Sequence, residues 1–317
     1  MPAHGPKPSE IAVEAKRIYI PKIEQYLPEL PAQSFAYSEV AGVHPSLRKG
    51  NDNRRLRIAV IDADAVDVAL QWNYEEGRSK SQDLSCPVPS NELRIPLILP
   101  VDEKRAGGDW ESGSMAPEEN MSRRSNFVRC LARSRVSSED AQIYPIPSKG
   151  GIYCPHVVVI FRSGPADAYT AWEISRWNYL PVISVAPNRR PKLTTDGEDY
   201  TFAQERELMQ DKIRTALRLA ATWGHRDICV GPFGFGPGFR NPAKQLSTMW
   251  KDILFQEEEF KDAFYNVVFA IETRFLASSA TESSAGSNQF ATGLSVYEVF
   301  KNEFDPSNLC KLSYCKT

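Results

Sequence analysis

Two adjacent acids, Glu118 and Glu119, follow a glycine pair, Gly107 and Gly108, in the stretch AGGDWESGSMAPEEN at 106–120. Glycine lets a backbone come close to a ligand and take positive φ. Successive N–H groups in such a loop, or at a helix N-terminus, can cradle an anion. A carboxylate beside that cradle can do acid/base work on a bound sugar. Each feature also has a plainer use. Glycines make tight turns, and Pro117 followed by two acids is a good helix start, since proline is tolerated in the first turn and acids there suit the macrodipole. On helix signals alone the plainer use is preferred. The functional reading also carries a tension: a helix N-terminus lowers a carboxyl pKa, whereas a general acid needs it raised. A closed cleft and a nearby diphosphate are expected to supply that rise only with substrate bound.

A second glycine loop, FGFGPGFRNP at 233–242, contains Gly234, Phe235, Gly236, Pro237, Gly238 and Phe239. Neither loop has the lysine and hydroxyl of a GxxxxGK[ST] phosphate loop. GFGPGF is not GxGxxG followed by an acid on the next strand, so a dinucleotide dehydrogenase is poorly supported.

The elements that position these loops follow from periodicity. Ser9 is expected to cap a helix over EIAVEAKRIYI that stops before Pro21. LRIAVID at 56–62 reads as a buried strand and DAVDVALQWNYEEG as a helix after it. RSKSQDLSCPVPSNE, 78–92, reads as an exposed loop. LRIPLILP, 93–100, is a strand that runs into the first glycine loop, and helical spacing resumes at Met121, Val128 and Leu131. HVVVIF and LPVISVA read as central strands, with a polar loop, PNRRPKLTTDGEDY, after the second. A helix over 204–223 places Met209, Ile213, Ala216, Leu217 and Ala220 on one face and ends at Gly224. DICVG is a strand leading to the second loop, AKQLSTMWKDIL a helix and AFYNVVFAIE a last strand. SSATESSAGSN at 278–288 is low-complexity, and SVYEVFKNEF a closing helix. Strands alternating with helices predict a three-layer α/β/α domain with a mixed central sheet. Open α/β sheets bind ligands beyond the carboxyl ends of their strands, so both loops are expected to line one cleft. The reading is of one domain over 1–305 with an N-terminal helical extension, and a tail at 306–317.

Composition narrows the function classes. The 317 residues carry a formal charge of −2, with 42% hydrophobic and 10% aromatic content. That suits a soluble globular protein with no global basic field for nucleic acid. No apolar run is long enough to span a membrane, and the N-terminus lacks the apolar core of a secretory signal. Six scattered cysteines form no CxxC pair and four histidines no ligand spacing. Reduced thiols, and no metal or other cofactor, are therefore expected.

Taken together, these motifs resemble the microbial-type poly(ADP-ribose) glycohydrolases, a branch of the macrodomain fold. The family signature is a GGG loop, a short spacer and then QEE; here GGD at 107–109 is followed by seven residues and Pro117-Glu118-Glu119. SRRSNF at 122–127 is similar to the family's RRS-type helix, and GPFGFGPGFRNP at 231–242 to its GxxGxGxFxNxP stretch, with one extra residue before Phe239. VVFAI, SVAPN, VIDADAVDVA and the N-terminal helix also fit, so the resemblance spans roughly 9–304. It implies that Gly107, Gly108 and position 109 hold the diphosphate and distal ribose. Glu119 is then the catalytic residue, and Glu118 bonds the ribose at the scissile bond. It further implies that Gly234, Phe235, Gly236, Pro237, Gly238 and Phe239 grip the diphosphate, with Phe239 packed on the ribose. Asp64, with Asp62 as the alternative, would bind the adenine amino group.

The implied reaction is hydrolysis of ribose–ribose O-glycosidic bonds, releasing ADP-ribose. The implied partners are ADP-ribose and poly(ADP-ribose) chains on modified proteins, with no direct DNA binding, for a monomer in the nucleus and/or cytoplasm serving the DNA damage response. Three departures stand out: Asp102 where the family has asparagine, Asp109 where it has a third glycine, and Pro117 where it has glutamine. Arg123 or Arg124 is expected to neutralise Asp109, and Trp110 to anchor the loop. The alternatives are a catalytically weak ADP-ribose reader and a mono-ADP-ribosyl hydrolase.

Overall fold

The computed structural model describes residues 6–43, 55–80, 94–135, 143–161, 169–273 and 294–313. The expected loop at 78–92 lies outside them from residue 81 on, and so does the whole low-complexity stretch at 278–288. By its contacts the chain groups into two compact units, Met1–Val40 with Val66–Ala186, and Ala41–Ala65 with Pro187–Thr317. Among the described residues, no helix is long and apolar enough to cross a membrane.

In the first unit the strands Leu97–Pro100 and Asn178–Val185 pair in parallel, with Leu97 opposite Val182. Gly151–Val159 pairs antiparallel to Asn178–Val185 and to Ser34–Tyr37, and Ser134–Arg135 adds in parallel beside the latter. The sheet is therefore mixed. Leu97, Ile98, Leu99, Val182, Ile183 and Val185 are buried, as continuous apolar strands covered on both faces must be. The register of Gly151–Val159 shifts between Cys154 and Val157. Pro155 falls there, and a residue without an N–H cannot serve the ladder.

The N-terminal helix begins at Pro8, not after a Ser9 cap, and the Lys7 N–H donates to Glu10 Oε2 at 2.9 Å. Nor does it stop before Pro21. Ala15–Tyr19 widens to π geometry and α-helix resumes over Ile20–Tyr26. Proline clashes with the carbonyl four residues back in a regular helix, and the wider turn ahead of it relieves that clash. The helix read over Met121, Val128 and Leu131 is two helices, Pro117–Arg124 and Phe127–Ala132. Ser125 between them is extended because the chain there pairs with a strand: the Ile160 N–H donates to the Arg124 carbonyl at 2.8 Å, and the Val158 N–H to Asn126 Oδ1 at 2.8 Å.

The second unit has three parallel strands, Asn266–Ala270 between Arg57–Ile61 and Asp227–Val230. Arg57–Ile61 alternates exposed and half-buried residues rather than being buried as expected, since in this unit it pairs along one edge only. The helices Ala203–Thr222, Ala243–Gln256 and Val296–Glu303 match the sequence reading, and Pro306–Ser313 forms a further helix where a tail was expected. Phe233, Trp250, Phe269, Phe300 and Phe304 pack ring against ring in the core.

Ser295 caps the N-terminus of the last of the expected helices. Its Oγ accepts the Glu298 N–H at 3.2 Å, and Glu298 Oε2 accepts the Ser295 N–H at 2.7 Å. Ser295→Ala removes half of this reciprocal cap and is expected to cost about 1 kcal/mol. Urea unfolding should show a lower midpoint at unchanged slope.

Candidate active site

The two glutamates open the helix Pro117–Arg124, with Pro117 in its first turn. Acids there are ordinarily exposed, but Glu118 is 3% and Glu119 8% exposed. Burial of two carboxylates requires partners, and the glycine loop supplies them. Glu118 Oε1 accepts the Gly107 N–H at 2.8 Å and Oε2 the Asp102 N–H at 2.5 Å. Glu119 Oε1 accepts the Asp109 N–H at 3.1 Å.

This geometry explains the glycine pair. Gly107 and Gly108 both have left-handed backbone, φ 76° and 57°. A Cβ on Gly108 would lie 2.5 Å from Glu119 Oε1, and one on Gly107 2.6 Å from Val128 Cγ1. The ligand that the loop's backbone approaches within the chain is thus the glutamate pair itself. The expected row of free N–H groups is engaged: Gly107 and Asp109 donate to the carboxylates, and Gly108 to the Arg105 carbonyl at 3.1 Å.

Three further contacts fix the loop. Trp110, 7% exposed, packs on Ala12, Ala15 and Val128, the anchoring expected of it. Arg123, fully buried, donates from Nε to the Trp110 carbonyl at 2.9 Å and from Nη2 to the Ser114 carbonyl at 2.5 Å. The Asp102 carboxylate accepts the Lys104 and Arg105 N–H groups at 2.7 and 3.1 Å, turning the chain at the loop's start. Neither Arg123 nor Arg124 pairs with Asp109. Arg124 pairs with Asp67, and Asp109 forms an exposed ion pair with Arg105 at 2.8 Å. The reason is direction: both helix arginines are themselves buried and spend their donors on other partners, while the Asp109 side chain is exposed.

Burial pushes the Glu118 carboxyl well above the usual range; the Asp102 and Gly107 N–H groups oppose this, and Glu119 and Asp102 reinforce it. Burial likewise raises Glu119, against the Asp109 N–H and the positive charge of Arg123. The rise needed by a general acid is therefore built into the chain and does not wait for a substrate.

The second loop belongs to the other unit. Gly234 and Gly236 have φ of 88° and 86°. Among the described residues, the N–H groups of Gly234, Gly236 and Gly238 have no hydrogen-bond acceptor. Asn241 holds this loop: its Nδ2 donates to the Gly234 and Asn188 carbonyls, both at 2.9 Å, and its Oδ1 accepts the Tyr200 hydroxyl at 2.9 Å. Asn188 in turn donates to the Glu205 carbonyl at 2.6 Å. Phe235 is a core residue, edge-on to Phe300, while Phe239 is half-buried beside Pro237 and Gly238. Asp62 accepts the Thr273 N–H at 2.8 Å, and Asp64 lies half-buried just ahead of the helix Ala65–Lys80. Tyr200, Asn188 and Asn241 were not singled out in the sequence, although the Asn-Pro pair after a glycine loop was a readable signal. Among the described residues, no group of three or more His, Cys, Asp or Glu side chains is placed to hold a metal ion.

Gly108→Ala tests the arrangement. A β-carbon costs roughly 1–2 kcal/mol in left-handed backbone, and here it also meets Glu119. The variant should be destabilised by at least that amount in denaturant, whereas a tolerated substitution would show that the loop does not need this approach.

Residues 12–163 match the family model described as the microbial-type PARG catalytic domain. That segment holds Asp102, the first glycine loop and both glutamates, but not the second loop. No curated protein matches the chain significantly. Poly(ADP-ribose) glycohydrolase from Thermomonospora curvata, solved with the inhibitor ADP-HPD, is 18% identical, with 93% of this chain and 98% of that one covered and a TM-score of 0.62. The enzyme from Deinococcus radiodurans, solved with ADP-ribose, is 16% identical over 88% of this chain and 97% of that one, at a TM-score of 0.55. The chain has the fold of the bacterial poly(ADP-ribose) glycohydrolases, and the half that carries its buried glutamate pair matches their microbial-type catalytic domain.

Proposed function

We propose that the chain is a poly(ADP-ribose) glycohydrolase that cleaves ribose–ribose O-glycosidic bonds and releases ADP-ribose. The observation that carries this reading is the buried glutamate pair held by backbone N–H groups of a glycine loop, within the segment that matches the glycohydrolase family.

Most glycosidases place two carboxylates on opposite sides of the scissile bond. Neighbours on a helix do not face each other, so Glu118 and Glu119 divide the work differently. Glu118 is clamped through both oxygens. It is the residue to receive a ribose hydroxyl on a remaining lone pair. Glu119 accepts the Asp109 N–H and its carboxyl pKa is raised by burial, which suits it to the general-acid role. It donates a proton to the departing ribose hydroxyl and then takes one from the attacking water. The substrate's own diphosphate steadies the oxocarbenium charge. The free N–H groups of Gly234, Gly236 and Gly238 suit a diphosphate, with Phe239 against the ribose and Asp64 or Asp62 on the adenine. No step calls for a metal or cofactor.

Release of ADP-ribose from defined poly- and mono-ADP-ribosylated substrates tests the reading. Release from neither would overturn it, and release from the mono-modified substrate alone would make the chain a mono-ADP-ribosyl hydrolase. Glu119→Gln keeps the shape and removes the titrating proton, so hydrolysis should fall by about 10²–10⁴-fold with ADP-ribose binding largely kept. Turnover should survive exhaustive chelation; loss restored by added magnesium would point to different chemistry.

The pH profile follows from the direction of the Glu119 shift. A general acid works in its protonated form, and burial keeps Glu119 protonated above the ordinary glutamate range. The alkaline limb of kcat/KM should therefore lie above about 4.3, with activity lost as pH rises through the elevated pKa. Stability follows the same sign: this proton favours the folded state, and its contribution fades over the same rise.

A further inference from the structure

Arg190 falls in the stretch PNRRPKLTTDGEDY, read from the sequence as a polar loop, and the mechanism above makes no use of it. Its backbone is left-handed, with φ of 48°. A residue with a β-carbon is strained there, and glycine is the usual occupant. An arginine kept in strained backbone points to what it touches.

Arg190 touches the second glycine loop twice. Its backbone N–H donates to the Phe239 carbonyl at 2.6 Å, and its side chain donates from Nε to the Pro237 carbonyl at 3.2 Å. The loop is closed on itself by the Gly236 carbonyl, which accepts the Phe239 and Arg240 N–H groups at 3.2 and 3.1 Å. The Phe239–Arg240 peptide is thus held through both its carbonyl and its N–H. The Pro237–Gly238 peptide is held through its carbonyl alone, and the Gly238 N–H has no acceptor among the described residues. That peptide is trans, so its carbonyl and its N–H point to opposite sides of the chain. The guanidinium therefore lies behind the loop, and the Gly238 N–H is turned away from it. A cation donating to a carbonyl also polarises the peptide, which makes the N–H on the far side a better donor. Arg190 is itself exposed, and one exposed hydrogen bond adds only modestly to stability. Its effect is on the direction and strength of a free donor.

We propose that Arg190 is a positioning residue for the diphosphate: from behind the second glycine loop it fixes and polarises the Pro237–Gly238 peptide, so that the Gly238 N–H meets a phosphoryl oxygen. The inference rests on the glycohydrolase reading and adds a residue that holds the loop without touching the substrate. Its positive charge, one peptide away from the anion, acts in the same sense as the N–H.

Arg190→Gly removes the side chain, suits left-handed backbone and keeps the backbone N–H that bonds Phe239. The thermal midpoint should stay close to that of the wild type. Calorimetric affinity for ADP-ribose should fall by about 3- to 10-fold, on the scale of one hydrogen bond. KM should rise by a similar factor while kcat changes little, because the proton transfer assigned to Glu119 is untouched. Arg190→Lys keeps a cation and a donor and should recover most of the affinity. Unchanged affinity in Arg190→Gly would overturn the proposal. So would a fall confined to kcat, or a loss of affinity that comes with a lower thermal midpoint and is not recovered in Arg190→Lys, the pattern of a merely structural contact. If the wild type neither binds ADP-ribose nor releases it, the functional reading falls and takes this inference with it; if the wild type does both and Arg190→Gly matches it, the glycohydrolase reading stands without Arg190.

Discussion

The carboxyl of Glu118 joins a helix to the glycine loop that precedes it. One oxygen takes the N–H of Gly107 and the other that of Asp102. These bonds tie together two points five residues apart in the loop. A glutamine at 118 would offer an NH₂ to one of these N–H groups, so the clamp is specific to a side chain with two oxygens. Once the loop is held, the Asp109 N–H is aimed at Glu119, and Trp110 and Arg123 fix the far side. The position of Glu119 is therefore set by backbone rather than by flexible side chains, as the role proposed for it requires.

Burial settles the electrostatic conflict at the helix start. A macrodipole acting on a first-turn acid is worth about 0.3–1 kcal/mol, less than one pKa unit at roughly 1.36 kcal/mol per unit. Full burial can shift a carboxyl by about 3–5 units in the opposite sense. Burial leads among the causes at both glutamates, and both are raised despite their N–H partners and, for Glu119, despite Arg123. The helix N-terminus contributes geometry here, and the closed environment contributes the proton affinity.

What could be read from the sequence was local and periodic. The strand–helix alternation, the 204–223 helix and the Ser295 start all depend on residues close in the chain, and they stand in the structure with small changes of boundary. The glycine pair and the acid pair were visible as types. Their relation was not, because it takes a folded loop to show that the glycines make room for the acids' own oxygens. The π turn ahead of Pro21 escaped because proline reads as a stop, and the widened turn that admits it has no sequence mark. The Asn-Pro pair at 241–242 was legible as a type, but the partners of Asn241, the Gly234 and Asn188 carbonyls, are brought to it only by the fold.

The departures from the family signature can be weighed on the same footing. A third glycine would be demanded at 109 only if that position needed positive φ or close approach. Positive φ falls on Gly107 and Gly108 but not on Asp109, and the Asp109 side chain points to solvent and pairs with Arg105. What the site takes from position 109 is its N–H, which any residue except proline provides. At 117 the chain enters a helix, and the first turn leaves its N–H groups without intrahelical partners, so proline in place of glutamine removes no helical hydrogen bond. At 102 the side chain accepts two N–H groups, a task that the Oδ1 of an asparagine also performs. The three substitutions thus fall where the backbone tolerates them, and the residues that the backbone does not release, Gly107, Gly108, Glu118 and Glu119, are the ones that the signature and this chain share.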